Sequence, residues 1–219
     1  MGVYYNPGLV SDGLVLALDA DNIKSYPGSG TTWYDIASTN NGTLVNGPTF
    51  SGSNPSYFRF DNTNDYVQLP ASLGYTSEVS AFAWFRSIGS PTGGYHIIFG
   101  PTSLEISIPS GGAIRTGIVT NTRYVSNHGS GLTDGNWHYV GFTFEGTTKN
   151  SYIDGVFVGG QTTAGTLNFS FGDRTMGRFG GSSAYYLNGD ISNARIYNRA
   201  LTPTEITQNY NISKGRFGI

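Results

Sequence analysis

The chain has 219 residues, with 12 Lys and Arg against 14 Asp and Glu and a formal charge of −2, so it lacks the basic face that a nucleic-acid groove needs. It contains no cysteine, which excludes disulfides and thiolate metal sites, and no apolar run approaches the roughly 20 residues needed for membrane insertion. Only 12% of residues are charged, against 37% hydrophobic with 15 Tyr, 13 Phe and 3 Trp; an aromatic core under a surface of Asn, Ser, Thr, Gly and Tyr is expected.

Met1 to Asp12 reads as an N-terminal arm. It has no basic n-region, and Leu14–Leu18 is too short for a signal h-region, so the protein is expected to act where it is made or to be exported without its own signal. Short strands are then expected at 14–18, 43–50, 57–60, 65–69, 78–87, 95–100, 103–108 and 113–119. Gly, Pro, Asn, Asp and Ser punctuate them and supply turn geometries. In the long strand 78–87, Val79, Ala81, Ala83 and Phe85 alternate with Ser80, Phe82, Trp84 and Arg86. Further strands are expected at 137–145 and 150–159. Val140, Phe142 and Phe144 face away from Trp137, Tyr139, Gly141 and Thr143. Large residues on both faces predict a sheet covered partly on each side, which suits a two-sheet jelly roll better than a small barrel.

Tyr152-Ile153-Asp154-Gly155-Val156-Phe157-Val158 predicts a hairpin on a type I′ Asp-Gly turn. Strands at 174–179, 184–187 and 189–198 follow, the last with Ile191, Asn193, Arg195 and Tyr197 on one face. Helical signals start at Thr202, an N-cap followed by Pro203 at the first helical position and Glu205 completing a capping box. Leu201 and Ile206 occupy the positions of a hydrophobic staple. The expected organisation is all-β: a two-sheet antiparallel sandwich over 13–212 with a short C-terminal helix, then a tail at 213–219.

Four segments, in order, resemble a concanavalin A-like lectin/glucanase domain of the laminin G-like, pentraxin-related kind. They are Gly13–Ala20 with Trp33-Tyr34-Asp35 and Asn41–Leu44; Phe60–Pro70; Asp134–Val140 with Tyr152–Gly155; and Gly189–Ile206. The resemblance implies a concanavalin A-like jelly roll. The opening and the ending Lys214–Gly218 are similar to versions of this domain in tailed-phage virion proteins.

Because the fold carries many activities, function has to be read from sites. Glucanases of the superfamily carry paired carboxylates on one strand. Glu78, Glu105, Glu145 and Glu205 are the only glutamates here, none has an acidic neighbour at that spacing, and Glu205 serves as a cap; no enzymatic activity is expected. No cofactor is required, but laminin G and pentraxin relatives often hold Ca²⁺. Asp19, Asp21 and Asp190 are the calcium candidates, with Asp61 and Asp65 beside them. Each of these aspartates is more simply read as a turn cap. His96, His128 and His138 are dispersed, which does not suit Zn²⁺.

Sugar binding needs aromatic platforms and Asn, Asp or backbone polar groups. Trp33, Tyr34, Tyr95, Tyr124, Asn127, His128, Tyr185 and Tyr186 are the candidates, and Tyr185 and Tyr186 cannot both point inward on a strand. The combined expectation is a multimeric virion surface protein, a capsid decoration or fibre component. Its partners would be other virion proteins and host-surface glycans. The alternative is a lectin-like module outside any virion.

Overall fold

A computed structural model describes residues 8–75, 77–100, 104–168, 174–180 and 185–219. In chain order the strands are β1 (Leu14–Asp19), β2 (Thr32–Trp33), β3 (Gly42–Val45), β4 (Thr49–Ser51), β5 (Tyr57–Asp61), β6 (Tyr66–Gln68), β7 (Val79–Ser87) and β8 (Tyr95–Phe99). They continue as β9 (Leu104–Pro109), β10 (Ile114–Val119), β11 (Arg123–His128), β12 (Trp137–Glu145), β13 (Thr148–Ile153), β14 (Val156–Thr162), β15 (Thr175–Met176) and β16 (Asn188–Tyr197). Helix α1 (Pro203–Lys214) and a 3₁₀ turn at Gly215–Phe217 close the chain. The first sheet has the order β14-β13-β12-β7-β16-β5-β4, with β1 also paired to β16. The second runs β11-β10-β9-β8-β15-β6-β3-β2. Every pairing is antiparallel, as the jelly-roll expectation requires.

The main core lies between the sheets. Val79, Ala81, Ala83, Phe85, Val140, Phe142 and Phe144 of the first sheet share it with Ile106, Ile108, Ile114 and Ile118 of the second. The first sheet is covered on its other face too, where Phe82, Trp84, Trp137, Tyr139 and Tyr197 pack with Leu201 and Ile206. That second layer exists because α1 is held in place. The Thr202 hydroxyl accepts from the Glu205 N–H at 3.3 Å, and the Glu205 carboxylate accepts from the Thr202 N–H at 2.8 Å. The capping box expected from sequence is therefore formed, with Leu201 and Ile206 buried in one cluster.

The Asp154-Gly155 hairpin also forms, with φ of 51° and 80° as a type I′ turn demands. Elsewhere the expectations need correction. The strand expected over 43–50 is two strands, because Asn46 (φ 62°) and Gly47 (φ 98°) turn the chain between them. Strands β2 and β11 were not expected. The expected strand 184–187 is only an isolated bridge between Arg178 and Tyr186; residue 184 itself lies outside the described residues.

In β16 the register against β7 shifts between Ile191 and Asn193. This bulge returns Ile191 to the inter-sheet core with Ala194 and Ile196, while Tyr197 packs on the other side. One extra residue switches which parity faces inward. Residues 213–219 are not a separate tail. Phe217 stacks on Trp84 at 3.9 Å, and the Arg216 guanidinium donates to Asp19 at 2.7 Å. Residues 1–7 of the expected arm lie outside the described residues. Its remainder runs along α1, where Val10 is buried and its N–H donates to Asn209 Oδ1 at 3.0 Å.

Candidate functional site

The outward face of the second sheet carries a cleft of about 200 Å³ lined by Tyr95, Ile97, Glu105, Arg115, Arg123, Phe179 and Tyr185. Strand alternation puts these side chains there. In β9, Leu104, Ile106 and Ile108 face the core, so Glu105 and Ser107 face outward. In β10, Ile114 and Ile118 face the core, which turns Arg115 outward. Arg123 begins the adjacent edge strand β11.

The floor of the cleft is a pinned charge cluster. Arg115 Nε donates to Glu105 Oε1 at 3.0 Å, and Arg123 Nη2 donates to Glu105 Oε2. The Ser107 hydroxyl adds a third bond to Oε1 at 2.9 Å. The Glu105 side chain is 3% exposed, against 20% for Arg115 and 38% for Arg123; a ligand would meet the guanidiniums and not the carboxylate. Gly117, paired with Glu105 in the sheet, makes this possible. A Cβ there would lie 2.8 Å from Glu105 Oε2 and 2.9 Å from Val125 Cγ1.

The rim is aromatic. Tyr95 and Tyr185 meet edge to face with centroids 6.1 Å apart, and Phe179 lies 5.7 Å from Tyr185. The Arg115 guanidinium sits 5.4 Å from the Tyr95 ring centre, and that of Arg123 lies 5.4 Å from Phe179. Phe179 N–H donates to Tyr185 C=O at 3.0 Å, which holds the backbones of the two aromatic residues together.

Of the sequence candidates, Tyr95 and Tyr185 come together here, and exposed Asn127 lies opposite Arg115 on the neighbouring strand. Tyr186 is buried, so the Tyr185-Tyr186 pair divides between outside and inside as alternation requires. Trp33 is fully buried against Phe58, with centroids 4.7 Å apart, and offers no ring to a ligand. Tyr34 is exposed, but it follows β2 at the opposite edge of the sheet from β11. Tyr124 packs against the core. His128 Nε2 is buried, and its imidazole is held below its ordinary value by burial and then by the nearby Lys149 charge.

Glu105, Arg115, Arg123 and Phe179 were not among the sequence candidates. The alternation around Ile106 and Ile114 was the signal available for the first two. The paired-acid geometry of a glucanase does not occur in this cleft, where Glu105 is the one carboxylate among the described lining residues.

Of the calcium candidates, Asp19 and Asp21 meet on the Arg216 guanidinium, while Asp190 is taken by two other arginines. Asp190 is fully buried and receives Arg59 Nε and Arg86 Nε, each at 2.9 Å. Asp19 accepts from Arg216. Asp21 accepts from the Ser56 hydroxyl at 2.8 Å and pairs with Arg216 Nε at 3.3 Å. Asp61 caps the turn at Thr63 with a 2.8 Å bond. Burial, and then the Asp61 charge, pushes the Asp65 carboxyl up to about 6. Among the described residues no group of three or more His, Asp or Glu side chains is placed to hold a metal ion.

Residues 61–207 match the family model described as the concanavalin A-like lectin/glucanases superfamily. No curated protein sequence matches the chain. Among solved structures, a mutant of Trypanosoma rangeli sialidase displaying trans-sialidase activity is similar, with a TM-score of 0.72 at 16% identity, over 97% of this chain and 35% of the sialidase chain. The binding domain of Paraclostridial Mosquitocidal Protein 1 is similar with a TM-score of 0.72 at 14% identity, over 92% of this chain and 52% of that one. The binding domain of Botulinum Neurotoxin DC, in complex with SialylT, gives a TM-score of 0.69 at 14% identity, over 93% and 52%. The chain thus spans between about a third and a half of these structures, and identities this low carry the fold alone. The two-sheet sandwich, its capped closing helix and the match over residues 61–207 together make this chain a member of the concanavalin A-like lectin/glucanases superfamily.

Proposed function

We propose that the protein is a non-enzymatic glycan-binding module that holds its ligand in the outward cleft of the second sheet. The observation that carries this reading is the convergence of Tyr95, Phe179 and Tyr185 with Arg115 and Arg123 on one concave patch. Aromatic faces take the apolar faces of a sugar, and fixed donors take its oxygens. The neurotoxin binding domain solved with SialylT adds support from a protein of the same fold. The non-enzymatic part rests on the cleft chemistry: Glu105 is surrounded by donors and, among the described residues lining the cleft, is the one carboxylate.

Binding without calcium belongs to the same reading, since the candidate aspartates already accept from guanidiniums. The test is a glycan array followed by titration with and without chelator. Tyr95→Ala and Tyr185→Ala are each expected to weaken binding by roughly 1 kcal/mol or more, and chelator to change nothing. No glycan bound, or binding untouched by both substitutions, would overturn the reading.

The setting we propose is a virion surface, in many copies beside other virion proteins. This rests on the similarity of the opening and of Lys214–Gly218 to domains of tailed-phage virion proteins. Weak sites repeated on a lattice gain avidity from copy number. Cryo-electron microscopy of purified particles would place this jelly roll at symmetry-related surface positions. Its absence there would leave a lectin-like module acting outside a virion.

A further inference from the structure

We propose that the cleft selects negatively charged glycans, the anionic group being received by Arg115 and Arg123 with Glu105 as their positioning residue. This rests on the reading of the cleft as a glycan site and adds the chemical class of the ligand. The chain as a whole carries a formal charge of −2, yet the described lining of the cleft sets two guanidiniums against one carboxylate. The imbalance is usable, because the carboxylate is buried below while both guanidiniums reach the surface.

Each arginine spends one N–H donor on Glu105. A guanidinium has five donors, and its planar fork matches a carboxylate or a sulfate. The orientation is held from several sides: Glu105 pins one edge of each fork, and the Tyr95 and Phe179 rings lie beside the guanidinium planes. Side chains fixed this way lose little further freedom on binding.

A third cation lies behind the same strands. Lys149 is buried on the core side and donates to the carbonyls of Thr116 at 2.7 Å and Tyr124 at 3.2 Å, each next in sequence to one of the arginines. When protonated it adds positive potential beneath the cleft. A neutral sugar could use the same donors for its hydroxyls but would leave the positive surplus unmatched, whereas an acidic sugar places its charge where the protein has left a surplus of the opposite sign.

The experiment uses the full chain and matched glycan probes: a lactose-terminated glycan, the same glycan capped by a sialic acid carboxylate, and the same glycan bearing a 3-O-sulfate. Affinities are measured for the wild type, Arg123→Gln, Arg115→Gln, Tyr95→Ala and, outside the cleft, Tyr34→Ala. The expected result is at least a tenfold preference for a charged probe, falling with added salt. The preference should be lost in both arginine variants and kept in Tyr34→Ala. Whether carboxylate or sulfate binds more tightly identifies the anion, and either supports the proposal. Arg123 is on an edge strand and well exposed, so Arg123→Gln tests the idea even if Arg115→Gln does not fold. Equal binding of the neutral probe, still sensitive to Tyr95→Ala, would overturn charge selection and leave the glycan reading standing. Acidic preference surviving Arg123→Gln would also overturn it. Binding of none of the three probes would remove both.

Discussion

His138 lies between two carboxylates, with Nδ1 2.8 Å from Asp154 Oδ2 and Nε2 3.2 Å from Asp134 Oδ1. Burial by itself would lower its pKa, but the hydrogen bond and charge of Asp154, then those of Asp134, outweigh it and raise the value. A raised folded-state value means that the clasp's contribution is complete below about pH 6.5, the ordinary imidazole value, and fades as the pH climbs through the folded one. The stability gap between the wild type and His138→Gln is therefore expected to be widest near about pH 6 and to narrow toward about pH 9. Urea denaturation across that range measures it, and a gap that grows with pH would refute the assignment. The sequence placed His138 on a strand beside Trp137; its two partners were not legible, because Asp154 arrives from the hairpin turn and Asp134 from the preceding loop.

At the scale of elements, the closing helix depends on its first turn. Arg199 binds Glu205 through both terminal nitrogens, at 2.9 and 2.6 Å. That hydrogen bond, against a smaller opposing effect of burial and with the Thr202 bonds adding to it, holds the Glu205 carboxyl down near 2. Thr202→Ala is expected to cost about 1 kcal/mol, read as a fall in Tm, with α1 still docked through Leu201 and Ile206. This element was readable from sequence because a cap, a proline and a staple lie within a few consecutive residues.

Strand β11 was not readable, since Arg123-Tyr-Val-Ser-Asn-His carries no sustained alternation and lies at an edge with a single strand partner. Beside it, Gly117→Ala is expected to push the Glu105 carboxylate off its seat. The cost should be on the order of 1–3 kcal/mol, accompanied by loss of glycan affinity. Unchanged thermal stability would show that the strand gives way instead.

Across the whole molecule, the two sheets are joined by polar bolts as well as by apolar packing. Lys149 of the first sheet donates to Thr116 and Tyr124 carbonyls of the second, and the Thr116 and Ser151 hydroxyls lie 2.8 Å apart across the same gap. Burial pulls the Lys149 amine down to about 7, the Glu105 charge opposing and the Arg115 and Arg123 charges assisting. Its folded value lies below its unfolded one, so the folded protein binds fewer protons between about pH 7 and 10, and stability rises across that interval. Lys149→Met is expected to abolish this rise whatever it does to stability at pH 7. Denaturation midpoints at pH 7, 8, 9 and 10 measure it, and an equal slope in both proteins would refute it.

The sandwich, the Asp-Gly hairpin, the two-faced first sheet and the capped helix were all legible in the chain. These are written in alternation, turn residues and caps, which act over a few neighbouring positions. The cleft, by contrast, comes from contacts between segments far apart in the chain. Its residues run from Tyr95 to Tyr185 and meet through the pairing of β8, β9, β10 and β11 and through the backbone bond that joins Phe179 to Tyr185. A lone glutamate and two scattered arginines form no motif along the chain. They become a pinned cluster only when the register lays Glu105 against Gly117, since burial and charge balance are properties of neighbours in space.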